Sequence, residues 1–309
     1  MTKKDFTLIS NFDGWELKGV VLEPKNSPKG IIQLVHGMTE HKYRYRDLMQ
    51  FFVEKGYIFI AHDHRGHGES AHTQEDLGWF QDDTSRAIVE DAVQVTEYAR
   101  KLYPNLPLTL YGHSMGSMVV RCYLREHDER IDKLVVSGSP TLNPLVDGGI
   151  LLTKLITKLY GPRHRSKMLR YLSTGKGDQL MKGKGGGSWL TKDAQSVLDS
   201  KNDPKCDYTF TCNGFMNLFL LMKYTYQKEG YQVKNPKLPI YFISGADDAV
   251  IETKKKWWQA LEFLRELGYQ NVSGKLYEGL RHEIHNELEK EMVFEDVLKF
   301  IEEDVHSNV

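Results

Sequence analysis

The stretch LTLYGHSMGS, residues 108–117, decides the fold. Residues 108–111 are a short apolar run of strand character, and a helical stretch follows from Met115 to about Glu126. Between them Gly112, Ser114 and Gly116 form the pattern G-x-S-x-G. A strand that turns into a helix this tightly forces its central residue into strained, positive-φ geometry and lifts its hydroxyl above the sheet. Gly112 and Gly116 stand where a Cβ would clash with the crowded turn. A helix starting at Met115 adds free N–H groups and the positive end of its dipole. Ser114 is therefore the candidate nucleophile, because a plain turn serine requires neither the strand before it nor the helix after it.

Outward from this turn, the first half of the chain repeats one rhythm. Strand candidates at 31–35 (IIQLV), 57–61 (YIFIA) and 133–137 (KLVVS) alternate with helical patterns at 47–55 and 84–102. Ile88, Ala92, Val95, Ala99 and Leu102 recur at three- and four-residue spacing, which is one helix face. Strands separated by helices give βαβ units and a mostly parallel sheet, and their unbroken apolar runs fit burial on both faces. No convincing strand follows from 141 to 235. The rhythm resumes with strand 239–244, helix 253–267, strand 274–277 and helix 288–303. The simplest organisation is one α/β core interrupted by an insertion of about 95 residues. The insertion holds an apolar-basic stretch at 150–171, a helical pattern at 213–226 and a glycine-rich run at 183–187. That run lacks a preceding strand and the G-x-x-x-x-G-K-[ST] pattern, so it reads as a loop, not a phosphate cradle.

A serine hydroxyl is a weak nucleophile near neutral pH and needs a base held by an acid. This fold type orders the three as Ser, Asp/Glu, His along the chain. ISGADDAV, residues 243–250, ends a strand in a turn with two aspartates, Asp247 and Asp248. LYEGLRHEIHNE, residues 276–287, is a strand, a glycine loop and His282, with His285 three residues on. The residues alone leave both pairs open, although His282 lies in the loop and His285 closer to the final helix. Two backbone N–H groups would hold the oxyanion, one after the nucleophile and one from an early strand–loop junction. These are Met115 and Met38, the latter in LVHGMTEH at 34–41, where Gly37 lets the chain turn sharply and His36 is a structural hydrogen-bonder. DHRGHGES at 63–70 reads as a rigid polar loop at the rim. His64 and His67 lack carboxylate or cysteine partners at ligand spacing, so no metal is expected there.

Composition narrows the setting. Lys and Arg total 41 against 42 Asp and Glu. That balance excludes a strongly basic nucleic-acid binder and an acidic disordered chain, so no nucleic-acid partner is expected. Three cysteines, Cys122, Cys206 and Cys212, form neither a disulfide scaffold nor a zinc pattern and fit a reducing compartment. No secretory signal and no run of about 18 apolar residues is present, so the expected location is cytoplasmic, with peripheral membrane contact a further expectation.

Five motifs in order carry a family resemblance: HGMTEHKYRY at 36–45, DHRGHGES at 63–70, GHSMGS at 112–117, SGADDAV at 244–250 and YEGLRHEIHNE at 277–287. The chain resembles the α/β-hydrolase superfamily, and within it the monoacylglycerol lipase and lysophospholipase-like group (the serine aminopeptidase S33 or Hydrolase_4 type). WLTKD at 189–193 and DPKCDYTFT at 203–211 are similar to insertion motifs of bacterial lysophospholipase-like members. The resemblance implies a mostly parallel eight-stranded sheet flanked by helices, with a helical cap inserted after the sixth strand. The expected domains are core residues 1–140 and 237–309 around a cap of residues 141–236. It selects Asp248 as the acid, the fourth residue of a G-x-x-D turn, and His282 as the base, the first His of H-x-x-H-N-E. It also implies hydrolysis of a single-chain acyl ester through an acyl-enzyme, with no cofactor and no metal. Lysophospholipids and short- or medium-chain esters are the alternative substrates. A dehalogenase or epoxide hydrolase of this fold would need an aspartate where Ser114 stands. A peptidase would call for an acidic amine-binding cluster near the cap.

The cap is basic instead. From 154 to 184 nine basic residues (Lys154, Lys158, Arg163, Arg165, Lys167, Arg170, Lys176, Lys182, Lys184) face one acid, Asp178. Ile150, Leu151, Leu152, Leu155, Ile156 and Leu159 interleave with them. An apolar face beside basic residues suits transient contact with a membrane or micelle, and packing of that face onto the core is the competing reading.

Overall fold

The apolar runs pair into one eight-stranded sheet of order β1-β2-β4-β3-β5-β6-β7-β8. The structure is a computed structural model, and it describes residues 1–174 and 188–303. The glycine-rich run and Lys176, Asp178, Lys182 and Lys184 lie outside the described residues. The strands are β1 Thr2–Ile9, β2 Glu16–Glu23, β3 Gly30–Val35, β4 Tyr57–His62, β5 Leu108–His113, β6 Lys133–Ser137, β7 Ile240–Gly245 and β8 Val272–Tyr277. β2 runs antiparallel to β1 and β4, and every other neighbouring pair is parallel.

β3, β4 and β5 are buried along their whole length because helices cover both faces. On one face α1 (Arg46–Glu54) and the C-terminal helix Lys290–Glu302 press Leu48, Phe52, Phe294 and Val297 onto Leu34, Phe59 and Val135. On the other, α2 (Arg86–Leu102), α3 (Met115–His127) and the helix Lys254–Leu267 bury Ile88, Ala92, Val119, Trp257 and Leu261 against Val35, Leu110 and Phe242. The hairpin β1–β2 was not expected, although β2 carries the short buried run Val20, Val21 and Leu22; β1 carries none. Residues 2–9 are mostly exposed, so burial did not select apolar side chains there.

Between β6 and β7 the described residues contain four helices and no strand: α4 Val146–Tyr160, α5 Lys167–Ser173, α6 Ala194–Asn202 and α7 Cys212–Tyr226. The helices after β7 and β8 are then α8 Lys254–Leu267 and α9 Lys290–Glu302. α4 divides its apolar residues. Ile150 and Ile156 are buried, while Leu151, Leu155 and Leu159, four residues apart on one face, are 53–74% exposed. Residues 63–70 are not a rim loop, because Asp63, His64, Arg65, His67 and Ser70 are all fully buried. Burial is tolerated because the groups satisfy one another. Arg65 bonds Asp91 and Asp13, and Lys42 bonds Asp63 at 2.6 Å.

Candidate active site

The turn after β5 explains its own sequence. Ser114 stands at φ 53°, ψ −118°, between the last residue of β5 and the first of α3. A Cβ on Gly112 would lie 2.6 Å from the Gly116 carbonyl oxygen, and one on Gly116 would lie 2.0 Å from that of Val35. Neither position accepts a side chain. The Ser114 N–H donates to Ser137 O on β6 at 2.9 Å, and the Ser117 hydroxyl donates to Ser114 O at 2.5 Å. These bonds hold the strained residue in place.

Two loops bring an acid and an imidazole to Ser114. His282 Nε2 lies 2.8 Å from Ser114 Oγ, and His282 Nδ1 lies 2.9 Å from Asp248 Oδ2. Asp248 is further held by the Ser244 hydroxyl at 2.9 Å and by the Val250 N–H at 2.8 Å. Its neighbour Asp247 is exposed and meets the site only through its backbone N–H, which donates to Leu280 O. The loops are stitched together at Gly245, where a Cβ would sit 2.1 Å from Leu280 O. Burial opposes a charge on His282, but Asp248, with Glu283 and Glu40, outweighs it and raises its pKa. His285 is a different residue in kind. It stacks on Tyr45 at 4.2 Å, both its ring nitrogens lack hydrogen-bond partners among the described residues, and burial lowers its pKa to about 3.

The loop after β3 closes the other side. Gly37 is not needed for a positive φ; the residue with one is Thr39, at 54°. Gly37 is needed for space, because a Cβ there would stand 2.6 Å from the Glu40 carboxylate and 3.2 Å from Ser114 Cβ. The amides of Met38 and Met115 have no acceptor among the described residues. Both are therefore free to donate. His36 donates from Nδ1 to Gly37 O and accepts the His64 N–H on Nε2, which fixes it as a neutral hydrogen-bonder.

Sequence reasoning missed a second tier of residues. Buried Glu40 accepts the Gly37 N–H and, at 2.6 Å, the Tyr45 hydroxyl. Burial and the nearby Glu283 raise its pKa to about 7. Glu283 pairs with Arg44 at 2.7 Å, and although burial works against its charge, Arg44 leads the contacts that keep it ionised. Trp189 packs on His282 at 5.1 Å between ring centroids. The only available signal for Glu40 and Glu283 was their place within the HGMTEH and LRHEIHN motifs.

One group among the described residues could offer a metal three ligand atoms within 4.8 Å of one another: His41, Asp203 and Cys206. Its chemistry is already committed. His41 Nδ1 accepts the Tyr43 N–H, so Nε2 carries the proton and donates to Asp203 Oδ2 at 2.8 Å. Burial pushes the Cys206 thiol up to about 12. The group links the loop after β3 to the insertion.

The model of the Hydrolase_4 family, described as serine aminopeptidase, S33, matches residues 26–289. A monoacylglycerol lipase of Mycolicibacterium smegmatis is 27% identical over 284 residues, 91% of this chain and 91% of the relative. The human monoglyceride lipase is 26% identical over 288 residues, covering 92% of this chain and 86% of the relative. A thermostable carboxyl esterase from Bacillus coagulans, solved in complex with glycerol, superposes with a TM-score of 0.88 at 27% identity, covering 97% of this chain and 98% of that one.

Proposed function

The chain belongs to the serine aminopeptidase S33 (Hydrolase_4) family and is a carboxylic ester hydrolase, and we propose that it cleaves single-acyl-chain lipid esters of the monoacylglycerol type through an acyl-enzyme. The observation that carries the proposal is the continuous chain Ser114 Oγ–His282–Asp248, at 2.8 and 2.9 Å. In this reading Ser114 Oγ attacks the ester carbonyl carbon while its proton passes to His282 Nε2. Asp248 keeps the imidazole in the tautomer that leaves Nε2 free to accept. The Met38 and Met115 N–H groups receive the oxyanion, each worth on the order of 3 kcal/mol of barrier. His282 then protonates the leaving alcohol and activates the water that frees the fatty acid. The reading needs no metal or cofactor to supply a nucleophile or a charge.

The curated relatives named as monoacylglycerol or monoglyceride lipases favour a glyceride. The similarity to the carboxyl esterase favours a second reading, a broad esterase of shorter esters. Hydrolysis rates of 1-oleoylglycerol, lysophosphatidylcholine and p-nitrophenyl butyrate separate them. The first is expected to be turned over with the highest kcat/KM. A preference for the butyrate would establish the broad esterase, and one for the lysophospholipid the lysophospholipase.

The four described helices between β6 and β7 then act as part of a cap, residues 141–236, over a core of residues 1–140 and 237–309. The exposed stripe of Leu151, Leu155 and Leu159 supports contact of this cap with a lipid surface. Arg163 and Arg170 pair with Asp76 and Asp207, but Lys154, Lys158 and Lys167 have no ion-pair partner among the described residues. Apolar side chains beside unpaired lysines suit an anionic interface. Flotation with phosphatidylglycerol vesicles should recover the protein at low salt, and the triple change of Leu151, Leu155 and Leu159 to Ser should abolish recovery. Equal recovery of both proteins would remove the proposal. No helix among the described residues is long and apolar enough to cross a membrane.

A further inference from the structure

Trp189 comes from the insertion, yet it is built onto the loop that carries His282. Its two neighbours are bonded to the two neighbours of His282. Arg281 donates from Nη1 to Ser188 O at 2.7 Å, and the Glu283 N–H donates to Leu190 O at 2.7 Å. Glu287, fully buried, extends the attachment by accepting the Thr191 hydroxyl at 3.0 Å and the Lys192 N–H at 2.9 Å on one carboxylate oxygen. Bracketed in this way, the indole lies 5.1 Å from the imidazole at an interplanar angle of 30°. The imidazole's other aromatic neighbour is His113, 4.8 Å away. His113 is neutral, because burial, aided by His285 and His282, holds its pKa well below the ordinary value.

Given His282 as the general base, we infer that Trp189 is a positioning residue for it, an indole face supplied by the insertion that holds the imidazole and stabilises the imidazolium formed during acyl transfer. As the Ser114 Oγ–H bond breaks and the Oγ–carbonyl bond forms, the proton and its charge arrive on His282. An indole face attracts a cation most strongly where water is excluded, and His282 is only 2% exposed. The interaction grows with the charge, so it favours the transition state over the resting enzyme. Of the charged groups around the ring, Asp248 and Glu40 lie on other loops, and Glu283, beside His282 on its own loop, is offset by Arg44. Trp189 adds a face that none of them provides, and it makes the base dependent on the attachment of the insertion.

Trp189→Leu keeps an apolar cover and removes the π-face, whereas Trp189→Phe keeps a weaker one. We expect kcat/KM on p-nitrophenyl butyrate to fall about tenfold in the Leu variant and no more than about threefold in the Phe variant. The acidic limb of the kcat/KM profile should move about half to one unit towards lower pH in the Leu variant, because the imidazolium has lost support. The fluorescence difference between wild type and the Leu variant should change at the pH of the wild-type limb, and that transition should vanish in His282→Gln. A Leu variant whose limb stays in place, whatever its rate, overturns the inference, as does a transition that survives His282→Gln. Should the Leu variant not fold, the Phe variant's limb and the wild-type and His282→Gln fluorescence give the same decision. A wild type without ester turnover or fluorophosphonate labelling would instead remove the catalytic reading of Ser114 and His282.

Discussion

Ser114→Ala is expected to lower kcat/KM on any ester the protein accepts by on the order of 10⁵-fold. The size follows from covalency. Without Oγ no acyl-enzyme forms, and only binding and the two free amides at Met38 and Met115 remain to favour direct attack by water. His282→Ala should cost a similar factor, and the double variant should cost little more, because Ser114 and His282 act as one unit across their 2.8 Å contact. Asp248→Asn should cost about 10⁴-fold, since the amide no longer selects the tautomer that leaves Nε2 unprotonated. Intact-mass measurement after fluorophosphonate treatment should show one adduct on the wild type and none on Ser114→Ala. Folding should be little affected, because Ala at position 114 keeps the backbone bond to Ser137 O. Activity of Ser114→Ala within about tenfold of wild type would place the nucleophile elsewhere.

How far such a site is legible in a sequence depends on where its constraints lie. The turn at Ser114 is legible because sterics act within five residues: neither Gly112 nor Gly116 has room for a Cβ. Asp247 and Asp248 are not separable by adjacency. They differ only in where the chain points them, one into solvent and the other against Ser244 and His282. The roles of Glu283 and Trp189 carry little local signal, because Arg44 reaches Glu283 from 239 residues away and Trp189 attaches to the His282 loop across 93. Glu40, by contrast, bonds within its own loop to Gly37 and Tyr45, and only its burial beside Glu283 is set by the fold. The motif at 63–70 misleads for a related reason. Its polar letters look like surface, but Arg65 finds Asp13 and Asp91 and Asp63 finds Lys42 only after folding. The need for Gly37 was visible but its cause was not, since a close approach to Glu40 and Ser114 leaves the same letter as a sharp turn. Within the β1–β2 hairpin, β1 escaped because an exposed edge strand needs no apolar pattern, and β2 because its buried apolar run, Val20 to Leu22, is only three residues long.

Acidification from pH 7 to about 4.5 is expected to remove most of the protein's stability, through groups largely separate from the base. Six imidazoles are buried and neutral. Burial leads the causes that hold His36, His64 and His113 well below their ordinary pKa, and it brings His62 and His67 to about 4 and His285 to about 3. In the unfolded chain each titrates near about 6.5. Between these values the unfolded state binds more protons, so stability is complete above the unfolded pKa and is lost as pH falls towards the folded one. Each group contributes up to about 1.4 kcal/mol per pH unit below its unfolded pKa. Six together approach, within two units, the roughly 5–15 kcal/mol that holds a whole domain. Glu40, raised to about 7, and His282, also raised, act with the opposite sign, because their folded forms bind protons more readily. Two such groups do not offset six. Urea unfolding at half-unit pH intervals should show ΔG falling steeply below pH 6.5, and a flat profile down to pH 4.5 would contradict the assignment. His62→Phe should lessen the slope by about one proton. Both His62 ring nitrogens lack partners among the described residues, so the substitution leaves no hydrogen bond unmade. Activity is expected to fail first and reversibly, because the catalytic imidazole, His282, is raised towards protonation. Structural failure follows at lower pH, when the protons that folding excluded are finally taken up.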